Sequence, residues 1–238
     1  MMSFSFEDIR KVDGDLAGVL DQMDPREVSH LRGVTAAEGE WIPPADGPGM
    51  GHMVIAGFLA RHVELAGGSC IELFGPGELL MAADNDAGDP FDMVPADVRW
   101  TALAPVVLAE LGGDFARSAA AHPALQAALL ARETRRSDAL ALRMAVIQLP
   151  RVSSRLNFLL WHLAERFGSP GQSGVLIPIH LSHGLLAEMV GAEPAEVRTA
   201  LRELAEQGVI SQAPRGLWLN GGPPSLGPQQ TASALSRA

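Results

Sequence analysis

Arg198, Thr199 and Arg202 lie in "PAEVRTALRELAE", at a spacing that puts all three on one side of a helix together with Ala195. A guanidinium forks onto two acceptors at once, which fits the edge of a guanine or a pair of phosphate oxygens. Threonine offers a methyl group to thymine and a hydroxyl to phosphate. Ser182 and His183 open the preceding helix, "LSHGLLAEMV", whose first backbone amides are free to receive an anion. Arg215 stands between two short strand-like runs, "ISQA" and "GLWLN". The chemistry these types imply is contact with a polyanionic duplex. Arg198 and Thr199 would face a groove, Arg202 a groove or the backbone, and Ser182, His183 and Arg215 the phosphates. Without a duplex the same side chains make an ordinary solvated surface.

The elements that would position them are legible. Ser182 is a good N-cap, and Leu185, Leu186, Met189 and Val190 give the first helix an apolar face. Gly191 falls where the chain must turn sharply. Pro194 suits the first position of the second helix, with Glu193 as its cap and Glu196 complementing the dipole. Val197, Leu201 and Leu204 face inward, and Gly208 ends the helix. A small residue (Ala187), a glycine four later (Gly191) and an aliphatic six after that (Val197) make the helix-turn-helix pattern, whose second helix enters the major groove. A plain helical hairpin shares that spacing. The helix ahead of it and the wing-like "GVISQAPRGLWL" behind it favour the winged form.

The whole chain has 238 residues, 47% hydrophobic and 19% charged, as expected of a globular protein with one large or two ordinary domains. No apolar run is long enough for a membrane span, and no secretory signal is expected from "MMSFSFEDIRKVDGDLAGVL", so a cytoplasmic location is the default. The net charge of −10 argues against nucleic acid only at first sight. From residue 151 onward seven arginines stand against six acids, so the acidity belongs to the front of the chain. The lone Cys70 cannot form an internal disulfide and is expected to be a small buried thiol.

Residues 31–115 show short apolar runs broken by turn signals, among them "HMVIAGFLARHVEL" around Gly57 and "GGSCIELFGPGELL" around Gly-Pro-Gly. They predict a small antiparallel jelly-roll barrel over residues 1–115, with a helical lead-in over the first 30. Residues 116–149 predict a dimerisation segment, whose helix from Pro123 onward is about 40 Å long, with Leu125, Leu129, Leu140, Met144 and Ile147 as one apolar stripe. A parallel copy from a second subunit is the simplest cover for that stripe, and the helix's own barrel is the plainer one. Pro150 is expected to open the next helix, whose buried face is Leu156, Leu159, Leu160 and Leu163. Residues 150–220 complete a winged helix-turn-helix, and 221–238 have the composition of a disordered tail. The fold class is α+β.

Taken in order, "IELFGPGELL", "HPALQAALLARETRRSDALALRMAVIQL", "RVSSRLNFLLWHLAERFG" and "LSHGLLAEMVGAEPAEVRTALRELAEQGVI" make the chain resemble the Crp/Fnr (cyclic-AMP receptor protein) family of bacterial transcription regulators. The Arg- and Ala-rich composition is similar to its actinobacterial members. The resemblance implies a cyclic-nucleotide-binding-like jelly roll, a homodimer held through residues 123–149, and binding to double-stranded promoter DNA, with RNA polymerase as a further partner.

Two departures qualify it. Nucleotide-binding members carry a Gly-Glu pair and an Arg-Ser or Arg-Thr pair after the Gly-x-Gly turn. Here that stretch is "MAADNDAGDPFDMVPADVRWTAL": Asp84, Asp86, Asp89, Asp92 and Asp97 would repel a phosphate, only Arg99 could neutralise it, and Trp100 stands where a hydroxyl is usual. The hydroxyls that the family's long helix offers to adenine are replaced by Leu140 and Ala141. No cofactor is expected and cyclic AMP is not the expected ligand. In the reading helix, Glu193, Pro194, Ala195 and Thr199 stand where the family often has Ser/Thr-Arg-Glu and a later arginine, so either the operator differs from the family's common one or base-specific binding is weak. Two alternatives stay open. One is a metal-dependent, cupin-like barrel enzyme in which His52 and His62 face each other across a hairpin. The other is a family member that acts through protein partners.

Overall fold

The computed structural model describes residues 12, 14–21, 31–41, 49–81 and 96–224. The chain forms two compact units, Met1–Leu142 and Arg143–Ala238.

Among the described residues, unit one contains α1 (Gly14–Leu20), eight strands, α2 (Gly113–Ala121) and most of α3 (Pro123–Ile147). The strands are β1 (Arg32–Ala36), β2 (Gly39–Trp41), β3 (Gly51–Ala56), β4 (Leu59–Leu65), β5 (Gly68–Phe74), β6 (Leu79–Met81), β7 (Asp97–Ala102) and β8 (Val106–Leu111). They form two four-stranded antiparallel sheets, ordered β1-β8-β3-β6 and β2-β7-β4-β5. Val54, Leu80, Val106 and Leu108 of the first sheet meet Leu59, Phe74, Trp100 and Ala102 of the second in one core. Side chains alternate across a strand. Met53, Leu79, Ala109 and Leu111 therefore point the other way, into a second core with Leu16, Leu20, Phe115, Ala119, Leu125 and Leu129 from the helices. Burial on both faces explains why "HMV", "LL" and "VVLAEL" read as near-continuous apolar runs.

Five sequence expectations change here. Gly57, at φ +84°, carries the chain from one sheet to the other and does not close a hairpin. β3 pairs with β6 and β8, and β4 pairs with β5 and β7. His52 is therefore opposite Leu80 and Glu110, and His62 opposite Ile71 and Arg99, so the two do not face each other as a ligand pair. A glycine marks a reversal but not the partner strand, which long-range burial selects. Cys70 is exposed, because β5 is covered only from Ile71 onward.

The apolar stripe of α3 is split. Leu125 and Leu129 are buried in unit one, whereas Leu140, Met144 and Ile147 are 38%, 68% and 38% exposed, as is Leu130 at 68%. The inner side continues through Arg132 and Arg136, residues that read as a polar interruption. The fifth change concerns Pro150. Arg151, with extended backbone, is the N-cap of α4 (Val152–Phe167), so the proline lies just outside the helix.

Unit two comprises the end of α3, α4, β9 (Ser169–Pro170), β10 (Gly174–Ile177), α5 (His183–Val190), α6 (Pro194–Glu206), β11 (Ile210–Ala213) and β12 (Gly216–Asn220). Its sheet runs β11-β12-β10-β9. Leu156, Leu159, Leu160 and Leu163 of α4 are buried. At Gly216 (φ +145°) a Cβ would stand 2.0 Å from the Ile177 carbonyl oxygen, so glycine lets the hairpin lie flat on β10. The expected tail from residue 225 lies outside the described residues. Among the described residues no helix is long and apolar enough to cross a membrane.

Candidate nucleic-acid interface

The helix pair is built by local chemistry. Ser182 Oγ accepts the Leu185 amide at 3.1 Å and starts α5. Gly191 ends it in the left-handed conformation (φ 62°, ψ 55°), and the Ala192 amide donates back to the Ala187 carbonyl at 3.0 Å. At the start of α6 the Glu193 amide donates to Glu196 Oε2 at 2.9 Å, beside Pro194. Val197, Ala200 and Leu204 are buried, which turns the opposite side of α6 to solvent.

Ala195, Arg198, Thr199 and Arg202 are all exposed on that outer side. Arg198 has no ion pair among the described residues. Arg202 Nε stands 4.0 Å from Glu206 Oε1 in an exposed pair that binds it only weakly. Thr199 Oγ1 donates to the Ala195 carbonyl at 3.1 Å, so its hydrogen is committed while its methyl group and lone pairs remain. Ser182, His183 and Arg202 line a cleft of ≈ 430 Å³ bounded by the start of α5, the second half of α6 and the β11–β12 hairpin. His180, Ser211 and Gln212 complete its polar lining. Ala195, Arg198, Thr199 and Arg215 do not line it. Arg215 is exposed in the turn that joins β11 to β12.

Two helices locked by an αL glycine, an exposed second helix and a following hairpin are the parts of a winged helix-turn-helix. Residues 154–220 match the family model described as the Crp-like helix-turn-helix domain. This is a Crp-like helix-turn-helix domain. Such a domain is the DNA-binding part of a transcription regulator, and the rest of the chain agrees with that fold. A cyclic-nucleotide-binding-domain protein from Listeria monocytogenes superposes with a TM-score of 0.66 at 15% identity, covering 88% of this chain and 97% of that one. A CooA mutant from Carboxydothermus hydrogenoformans gives 0.63 at 13%, covering 86% and 90%. A CRP/FNR-family transcriptional regulator from Thermus thermophilus gives 0.56 at 19%, covering 87% and 99%. At such identities the likeness is one of fold. No curated protein matches the chain.

Two residues of the Crp-like domain were not among the sequence candidates. Arg155, in α4, donates from Nε to the Leu149 carbonyl at 2.6 Å and from Nη1 to the carbonyls of Val190 (3.2 Å) and Gly191 (2.9 Å). A cation so near a helix N-terminus opposes the macrodipole, and that misplacement was the signal to look for a task elsewhere. His162 is buried in α4 with neither ring nitrogen hydrogen-bonded among the described residues. Burial, reinforced by the positive charges of Arg166 and Arg143, lowers its pKa to about 4.

Unit one holds a second polar cluster. Glu72 is buried on the face of β5 that also carries Phe74. It takes a bidentate ion pair from Arg136 of α3 and a 3.6 Å contact from Arg61 of β4. The Arg136 guanidinium lies 4.9 Å from the centre of the Phe74 ring, which packs on Trp100. Arg99, the cation that sequence reasoning reserved for a phosphate, is half exposed and bonded to Glu64 at 2.5 Å. It points away from Trp100, which is buried in the core. Asp84, Asp86, Asp89 and Asp92 lie outside the described residues. Among those described, no cluster of three metal-ligating side chains occurs.

Proposed function

We propose that this chain is a cytoplasmic, homodimeric Crp/Fnr-type regulator that binds promoter DNA through Arg198, Thr199 and Arg202, with Ala195 at the groove and Ser182, His183 and Arg215 on flanking phosphates. The observation that carries the reading is the outer face of α6: its inner residues are sealed in the domain, and Arg198 projects with no ion pair among the described residues. Thr199, with its hydroxyl hydrogen turned to the helix backbone, has its methyl group left for a thymine. The exposed Leu130, Leu140, Met144 and Ile147 support dimerisation through α3, since a stripe at seven- and three- to four-residue steps is the seam of a two-stranded coil. A dimer would set two copies of α6 about 34 Å apart, one helical turn of DNA.

The acids of α6 limit its strength. Glu196, Glu203 and Glu206 outnumber Arg198 and Arg202 on that helix, so base reading rests on few contacts. Contact with RNA polymerase belongs to the same reading. The same reading has cyclic AMP not controlling the protein in the usual way, and two ion pairs support it: Arg99 is bonded to Glu64, and Glu72 already holds Arg61 and Arg136.

The test is selection of duplexes from a random pool by the intact chain, followed by affinity measurements across a salt series. Binding through phosphates weakens steeply as salt rises. Affinity indifferent to salt, or no enrichment of any duplex, rejects the proposal.

A further inference from the structure

The three carbonyls that Arg155 holds belong to none of the proposed DNA contacts, yet they span two places that matter for them. Its Nε holds the carbonyl of Leu149, in the short segment between the end of α3 at Ile147 and the N-cap of α4 at Arg151. Its Nη1 holds the carbonyls of Val190 and Gly191. Val190 is the last residue of α5, and Gly191 is the left-handed residue whose dihedrals set the angle between α5 and α6. The last carbonyls of a helix have no intrahelical partner, and a cation there also meets the negative end of the dipole. One planar guanidinium thus satisfies three backbone acceptors on two separate segments, and its fork allows no sliding of one against the other.

We infer that Arg155 is a positioning residue for DNA binding, which registers the turn of the helix-turn-helix against the segment that leaves the long helix. The inference rests on the DNA-binding reading above. A displacement of Leu149 is carried to Gly191 through one planar guanidinium, and from Gly191 to the direction of α6 and of Arg198.

The experiment uses the full chain and a duplex enriched from a random pool by the wild type. Arg155→Met keeps the length and removes every donor. It is expected to weaken binding about tenfold, the scale of losing charge-assisted hydrogen bonds, with the salt slope unchanged because no phosphate contact is lost. The Ala192 amide, which closes the turn onto Ala187, is expected to exchange faster with solvent while amides in the middle of α4 keep their protection. Arg155→Lys retains the charge without the fork and is expected to fall between the two.

Affinity within twofold of wild type overturns the inference. So does a salt slope smaller by about one, which would make Arg155 itself a phosphate ligand. Uniformly faster exchange throughout unit two would mark it as a general packing residue. Should the methionine variant not fold, the lysine variant decides: wild-type affinity there overturns the inference. If the wild type enriches no duplex, the DNA-binding reading has failed, and the exchange of Ala192 still judges the coupling.

Discussion

Arg136 grips Glu72 with two edges of its guanidinium: Nε stands 2.6 Å from Oε1 and Nη2 3.0 Å from Oε2. A carboxylate this buried is tolerable only because the cation is fixed beside it, with Arg61 at 3.6 Å and the face of Phe74 completing the shell. The pair ties the middle of α3 to the inner face of β5.

Removing one partner therefore costs more than removing both. Arg136→Met is expected to destabilise unit one by about 3 kcal/mol, because it strands Glu72 beside the weaker Arg61 contact. Arg136→Met combined with Glu72→Leu should cost less than the two single changes added together. Urea unfolding of the three variants gives the coupling, and simple additivity would contradict the pair's role.

His162 makes unit two sensitive to acid. Its folded pKa, about 4, lies below the ordinary 6.5, so the fold favours the neutral ring. The unfolded chain then binds the proton more readily between those values. Stability from this group is complete above pH 6.5 and is lost as pH falls toward 4, by an amount on the order of 3 kcal/mol. Thermal melts at pH 7 and pH 4.5 of the wild type and His162→Gln should converge at the lower pH; equal pH dependence in both would exonerate the histidine.

Gly191 is needed for its backbone angle and not for space. No atom lies within 4 Å of a Cβ placed there, but φ is +62°. Gly191→Ala is expected to cost about 1–2 kcal/mol, the ordinary penalty of a left-handed alanine, and Gly191→Asn clearly less. Denaturant midpoints rank the two, and a larger loss for asparagine would point to a clash instead of strain.

On the outer face of α6, single alanine substitutions separate two kinds of contact. Arg202→Ala and Arg215→Ala should lower affinity alike for all duplexes and reduce the salt slope by about one each. Arg198→Ala should cost about 1–3 kcal/mol and relax preference at one base position. Binding titrations on selected and scrambled duplexes distinguish these outcomes, and a uniform effect of Arg198 would move it to the backbone class.

Leu140, Met144 and Ile147 are exposed in a single copy. Met144→Glu should shift the chain to monomer in sedimentation while each copy keeps its fold, since the position is exposed in the single copy. A variant that remains dimeric would place the contact between copies elsewhere.

Much of unit two was readable because its signals are local. Ser182, Gly191, Pro194 and Gly208 each impose their turn or cap within a few residues, and Val197 and Leu204 fall at helical steps. Unit one was readable as a class of fold but not in its pairings. Gly57 and Gly77 announce reversals, yet the strands on either side of each belong to different sheets, a choice made by burial across the whole unit. Arg136 was invisible for another reason. Charge patterning treats an arginine as solvent-facing, and only the buried Glu72, 64 positions away in sequence, turns it inward. Arg155 was missed because its partners are backbone carbonyls, which carry no sequence label.

The strand pairings of unit one also set the order in which the molecule can assemble. β1 closes on β8 through Arg32 and Glu110, and β2 on β7 through Gly39 and Ala102. The β4–β5 hairpin can form early, but neither sheet is complete until its last strand has been made, whereas the β11–β12 hairpin and the helices of unit two need only near neighbours. High contact order makes the front half the slow folder. Refolding followed by Trp41 and Trp100 fluorescence should lag behind that reported by Trp218.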